Sequence, residues 1–195
     1  MKNANMLSVI VRIVVTAATL FLATSCKDGK TAAAPKAIKS ASEYFTISVG
    51  DQPVRMQLAV EQPNNMRELS RGLMGRRDLA EDQGMIFVYQ YPQRMGFYMR
   101  NTPLPLDIGF FTKDGVLREV RQMFPFDETS VTSARTDIHY ALEMNQGWFE
   151  RHGVKPAPSM TSDAGAKLDL KALGEALEAR GFKPENYGLR DEAAR

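Results

Sequence analysis

Between Tyr44 and Met144 the apolar residues come in runs of strand length, bounded by glycine, proline, asparagine or aspartate. That spacing constrains the fold more than any other feature, because short alternating runs bury their apolar faces by pairing into sheets. Phe45, Ile47 and Val49 alternate with Thr46 and Ser48, and Val54, Met56, Leu58 and Val60 alternate again. With Gly50-Asp51 between them, the two runs predict a hairpin. Further strands are expected over 84–89, 95–100, 106–112, 116–123 and 139–144. Lys113-Asp114-Gly115 supplies one turn and Asn145-Gln146-Gly147 closes the last strand. One short helix is expected after Pro63-Asn64-Asn65, with Met66, Leu69 and Leu73 on one face and Gly72 and Gly75 limiting its length. About seven to eight strands at this spacing predict a mainly β domain over 44–160, an antiparallel β-sandwich or barrel.

The two ends have a different character. Leu168, Leu170, Leu173, Ala176 and Leu177 fall near helical spacing, and Gly181 and Pro184 end the pattern. Residues 161–195 therefore read as an appended helical extension, and truncation after Met160 is expected to leave a folded domain. At the other end Lys2 precedes an apolar stretch that closes on Ala23-Thr24-Ser25-Cys26. This pattern fits a signal peptide over 1–25. The closing residues resemble the lipobox of bacterial lipoproteins, which implies lipid on Cys26. Ala23 stands where that pattern prefers leucine, and the ordinary signal peptidase could cut at the same place. Residues 26–43 hold little to bury and read as a flexible tether.

Cys26 is the one cysteine in the chain. It excludes an internal disulfide, a Cys-x-x-Cys redox pair and a thiolate zinc site. The chain has 25 Lys and Arg against 23 Asp and Glu. Taking away Lys2 and Arg12 leaves 23 of each, so no basic face for nucleic acid is expected. The expected address is the cell envelope, on the periplasmic side of a membrane. The resemblance to lipoproteins implies that aspartate after the lipid-bearing cysteine marks retention at the inner membrane, so Lys27 at that place implies the outer membrane.

Three ordered blocks carry a resemblance to a known family. The first is Arg71-Gly72-Leu73-Met74-Gly75-Arg76, Leu79 and Gly84-Met85-Ile86-Phe87. The second is Phe97-Tyr98-Met99-Arg100-Asn101-Thr102 with Pro105-Leu106-Asp107-Ile108, and the third is Leu142-Glu143 with Gly147-Trp148. Together they resemble the domain of unknown function 192 family over roughly 54–154. The resemblance implies a small, often secreted β-sandwich, and no established activity, substrate or cofactor.

The chemistry open to these residues is short. There is no Gly-x-Ser-x-Gly elbow and no P-loop lysine. His139 and His152 lack metal-type partners at helical or strand spacing, so no metal and no cofactor is expected. Met74, Met85, Met95 and Met99 could offer thioethers to Cu(I), but they alternate with Phe87 and Phe97 and read as core. Two site readings remain. In one, Arg100, Asn101, Thr102 and Asp107 line the polar rim of a ligand pocket whose apolar floor is Phe97 and Met99, beside a loop stiffened by Pro103 and Pro105. The domain is then a binding or accessory module for a small molecule or an envelope protein. In the other, Asp107 and Glu143 form the carboxylate pair of a hydrolase. Either carboxylate could instead pair with Arg71, Arg76 or Arg100.

Overall fold

The computed structural model describes residues 39–189; Cys26, the signal segment and most of the tether lie outside them. The first two alternating runs form the expected hairpin, β1 (Tyr44–Val49) and β2 (Gln52–Val60), antiparallel with Phe45 opposite Met56. Helix α1 (Arg67–Arg71) follows, and Asn65 Oδ1 accepts from the N–H of Arg67 at 3.3 Å. The remaining strands are β3 (Gln83–Gln93), β4 (Gly96–Phe97), β5 (Leu106–Thr112), β6 (Leu117–Met123), β7 (Val131–Thr132) and β8 (Ile138–Asn145). Helices α2 (Trp148–Arg151) and α3 (Leu170–Ala179) and a 3-10 turn (Pro184–Tyr187) complete the described chain.

The fold is mainly β and sandwich-like, and it is not a closed barrel. Six strands form one sheet in the order β1-β2-β3-β8-β5-β6, and β4 and β7 form a separate ribbon. The sheet is mixed, which corrects the wholly antiparallel expectation: β2 and β3 run parallel, with Leu58 beside Ile86. A parallel neighbour needs a crossover of a dozen or more residues, and the segment holding α1 supplies it. The expected strand over 95–100 shortens to Gly96–Phe97, because Met99 N–H donates to Asp127 O and Thr102 N–H to Met99 O in a turn.

Each face of the sheet carries its own core. One face presents Ile47, Met56, Leu58, Ile86, Tyr140, Leu142 and Met144 to Trp148, Phe149, Leu173, Leu177 and Tyr187. The other presents Phe87, Ile108, Phe110 and Ala141 to Leu73, Met95, Phe97 and Met99. Met85, Met95 and Met99 are buried, as the core reading requires, whereas Met74 is half-buried and belongs to neither core. Gly109 lets α2 approach the first face, since a Cβ there would stand 2.7 Å from the Phe149 ring.

The C-terminal extension is part of the fold, which corrects its reading as an appendage. Helix α3 forms where expected, and Asp169 caps it by accepting from Ala172 N–H at 3.0 Å. Its Leu173, Ala176 and Leu177 are buried in the first core with Leu168, Tyr187 and Leu189. The segment before α3 also serves the two outermost strands. Asp169 N–H donates to Ser48 O and Gly50 N–H to Lys167 O on the β1 side. Leu168 N–H donates to Gly115 O and Leu117 N–H to Ala166 O on the β6 side. Backbone groups that an open sheet edge would leave bare are thereby paired.

Candidate functional site

The second face of the sheet holds a cavity of about 160 Å³ between α1, the segment after it, and the β4 region. Its lining includes Leu69, Ser70, Arg71, Gly72, Phe87, Tyr89, Phe97, Tyr98, Thr102 and Glu143. Strand alternation sets the floor, because Phe87 and Tyr89 on β3 and Glu143 on β8 project to the same face. Phe87 and Phe97 meet edge to face with centroids 5.0 Å apart. Gly72 ends α1 at φ 45°, a left-handed conformation that suits glycine. A Cβ at that position would stand 3.4 Å from the Phe87 ring and 3.9 Å from Glu143 Oε2.

Glu143 is the unusual member of this lining. The residue is 5 % exposed and its Oε2 is fully buried without a hydrogen-bond partner. Burial pushes its carboxyl up to about 8, and no neighbouring charge offsets that rise. Tyr89 beside it is pushed up to about 12, first by burial and then by the charges of Glu61 and Glu143. At neutral pH the site thus holds a carboxylic acid that can both donate and accept a hydrogen bond.

The sequence-predicted residues fare unequally. Thr102 is buried and lines the cavity, with its hydroxyl donating to Arg100 O at 3.2 Å. Arg100 turns outward to Glu128, at 2.8 Å, and lies over the Tyr98 ring. Asn101 is exposed and serves the turn: its φ of 54° places it in the left-handed region, and its carbonyl accepts from Gly75 N–H at 2.8 Å. Asparagine tolerates that conformation better than most residues, which gives this position of the motif a backbone reason.

Asp107 belongs to the opposite face. It stands opposite Met144, whereas Glu143 stands opposite Ile108. With period-two alternation the two carboxyls point to opposite sides of the sheet, so neither a shared rim of Asn101 and Asp107 nor an Asp107–Glu143 pair is formed. Asp107 Oδ2 accepts from Gly147 N–H at 2.8 Å and holds the turn that opens α2. Burial pushes its carboxyl up, opposed by the Gly147 N–H and the charge of Arg151. The expected arginine pairs are also absent among the described residues. Arg76 donates to Tyr44 and Gln57, and no ion pair links Arg71, Arg76 or Arg100 to Asp107 or Glu143. His152 is satisfied, with Nδ1 2.9 Å from Trp148 O, while His139 is buried with neither ring nitrogen partnered.

Sequence reasoning did not identify the brace behind the cavity. Glu68 of α1 accepts from Val60 N–H and pairs with Arg180 at 2.5 Å. Arg180 donates also to Leu58 O at 2.6 Å. The C-terminal extension therefore holds the helix that walls the cavity. The signal available in the chain was an arginine at the end of the helical pattern, just before Gly181.

These features define a small sandwich-like β domain with a carboxyl-floored cavity. The chain belongs to the DUF192 family, described as Uncharacterized ACR, whose model matches residues 46–161. Among solved structures it is similar to a protein of unknown function from Novosphingobium aromaticivorans. The identity is 31 % over 70 % of this chain and 93 % of that one, with a TM-score of 0.58. It is also similar to a suggested transcription regulator from Sinorhizobium meliloti, at 30 % identity over 67 % of this chain and 95 % of that one, with a TM-score of 0.55. No curated protein matches the chain.

Proposed function

We propose that this domain is a binding or accessory module of the bacterial envelope that holds a small polar ligand in the cavity over Glu143. One observation carries the reading: a carboxyl with a fully buried, unpartnered oxygen forms part of a cavity lining. Leaving such a group unmatched costs about 1–3 kcal/mol, more for a charged one, and a ligand that matches it recovers that cost on binding. A cavity of about 160 Å³ suits a molecule near the size of a benzene ring. Binding is favoured over hydrolysis because the cavity lining contains one carboxyl, while Asp107 lies on the other face.

The test is a thermal-shift screen of the full chain against small envelope metabolites, repeated with Glu143→Gln. A ligand present at 100 times its Kd should add about 2.7 kcal/mol of stability. The proposal expects a ligand whose effect is lost in the variant. A ligand equally effective on both proteins would place binding elsewhere. For the envelope half of the proposal, Cys26→Ser should move the protein from the membrane fraction to the soluble one without altering its unfolding. Wild-type protein that stays wholly aqueous in detergent partitioning would contradict the lipid anchor.

A further inference from the structure

The chemistry of the cavity walls narrows the ligand class, on the assumption that the cavity is a binding site. The lining that holds Glu143 also holds the aromatic rings of Phe87, Tyr89 and Phe97, the Tyr98 ring that Arg100 covers, and the thioethers of Met66 and Met74. Aromatic rings attract cations through their quadrupoles, and a desolvated cation gains more from them than a hydrated one. Among the described residues no hydrogen bond reaches the Glu143 carboxyl, and no cationic side chain shifts its titration. Arg71 is exposed at the rim and does not act on Glu143. The Thr102 hydroxyl has committed its proton to Arg100 O, so it faces a ligand only as an acceptor. The Glu143 and Thr102 acceptors and the rings of Phe87, Tyr89 and Phe97 thus stand without a matching cation and form a receptor for positive charge.

We propose that the cavity binds a small organic ammonium group bearing at least one N–H, with Glu143 as its counter-ion. A protonated amine brings both the charge that the carboxylate lacks and the donors that its oxygens and Thr102 can accept. A carboxylate ligand would set a negative charge against the ring faces and the acceptor oxygens, and an alcohol would leave the rings without a cation. Binding carries a proton balance. Glu143 holds its proton at neutral pH and must lose it to solvent to pair with the ammonium, so each amine bound at pH 7 releases close to one proton. Above pH 8 the release falls away, because the carboxyl is then already ionised.

The experiment compares three probes of equal length, n-butylammonium, n-butanol and butyrate, by titration calorimetry on the full chain at pH 7. Two buffers of different ionisation enthalpy report the proton. The expected result is binding of the amine about tenfold tighter than either other probe, with release of nearly one proton. Glu143→Gln should abolish both the preference and the release while unfolding as cooperatively as wild type. Butanol or butyrate binding as tightly as the amine, with loss in Glu143→Gln, would overturn the ammonium class and leave the small-ligand reading standing. Binding of none of the three would overturn both. Amine binding that keeps its strength in Glu143→Gln would also overturn the proposal, because Glu143 would then not be the counter-ion.

Discussion

On one face of the central sheet Asp107 is 4 % exposed and meets the N–H of Gly147; on the other, Glu143 is 5 % exposed and meets no protein donor. The two carboxyls sit on neighbouring strands one register step apart. Their exposed fractions are nearly the same, and each keeps one oxygen without a partner, Asp107 Oδ1 and Glu143 Oε2. The difference lies in what covers each face. Over Asp107 the chain returns at once as the Gly147 turn and α2, which packs Trp148 and Phe149 into the sheet. Over Glu143 the chain passes as α1 and Gly72 without a donor for the carboxyl, and leaves room for another molecule. A buried acid with a backbone partner is architecture. The same acid beneath a cavity is a binding group awaiting its partner.

That contrast can be broken most violently from the closed side. Truncation after Met160 removes Leu168, Leu173, Leu177 and Tyr187 from the first core and unpairs both sheet edges. Each large core side chain contributes about 2–5 kcal/mol, so the loss exceeds the whole stability of an ordinary domain. Urea unfolding should show no cooperative transition for the truncated chain. A midpoint near wild type would mean that the extension only decorates the face. On the cavity side, Met99→Ala should cost about 2–5 kcal/mol, as a buried truncation beside Phe97 does. A cost near zero in the same denaturation would mean that the second core is loosely packed and the cavity ill defined. The smallest effect belongs to Asn101. Asn101→Ala should cost about 1 kcal/mol and Asn101→Gly less, because the position asks only for a left-handed backbone. If Asn101→Gly instead abolishes ligand stabilisation while folding is unchanged, the side chain reaches a ligand and the turn reading fails.

Much of this fold was legible in the chain. Alternation located the hairpin of β1 and β2, and the helix over 170–179 lies where the apolar spacing put it. What local pattern could not supply was pairing partners. Nothing within 84–89 says that this strand runs parallel to β2, since that depends on the path of a crossover rather than on side chains. The same gap misplaced the site. Asp107 and Asn101 are close in sequence and share a proline-stiffened loop, yet period-two alternation sends Asp107 to the far face. Glu143 could be named as an acid but not located under a cavity until β8 was placed between β3 and β5. Leu168 and Leu173 showed an apolar stripe without showing that the sheet would need it. An amphipathic pattern implies burial and is silent about where.

The central claim is that Glu143 stands protonated and unpartnered in its cavity, and it has a signature in stability against pH. A carboxyl whose folded pKa is raised above its unfolded one binds more protons in the native state. Stability must then fall as pH rises from about 4.5, the unfolded value, to about 8, the folded one. The slope through that window is about 1.4 kcal/mol per pH unit, and the full effect is roughly 4–5 kcal/mol. Other titrating groups, His139 among them, are shared by wild type and Glu143→Gln, so the difference between the two proteins isolates this carboxyl. The deciding measurement is that difference in urea unfolding free energy from pH 5 to pH 9. The account predicts near equality at pH 5 and a variant more stable than wild type by several kcal/mol at pH 9. A difference that does not change with pH would contradict it, because Glu143 would then titrate as an ordinary carboxylate with a partner of its own.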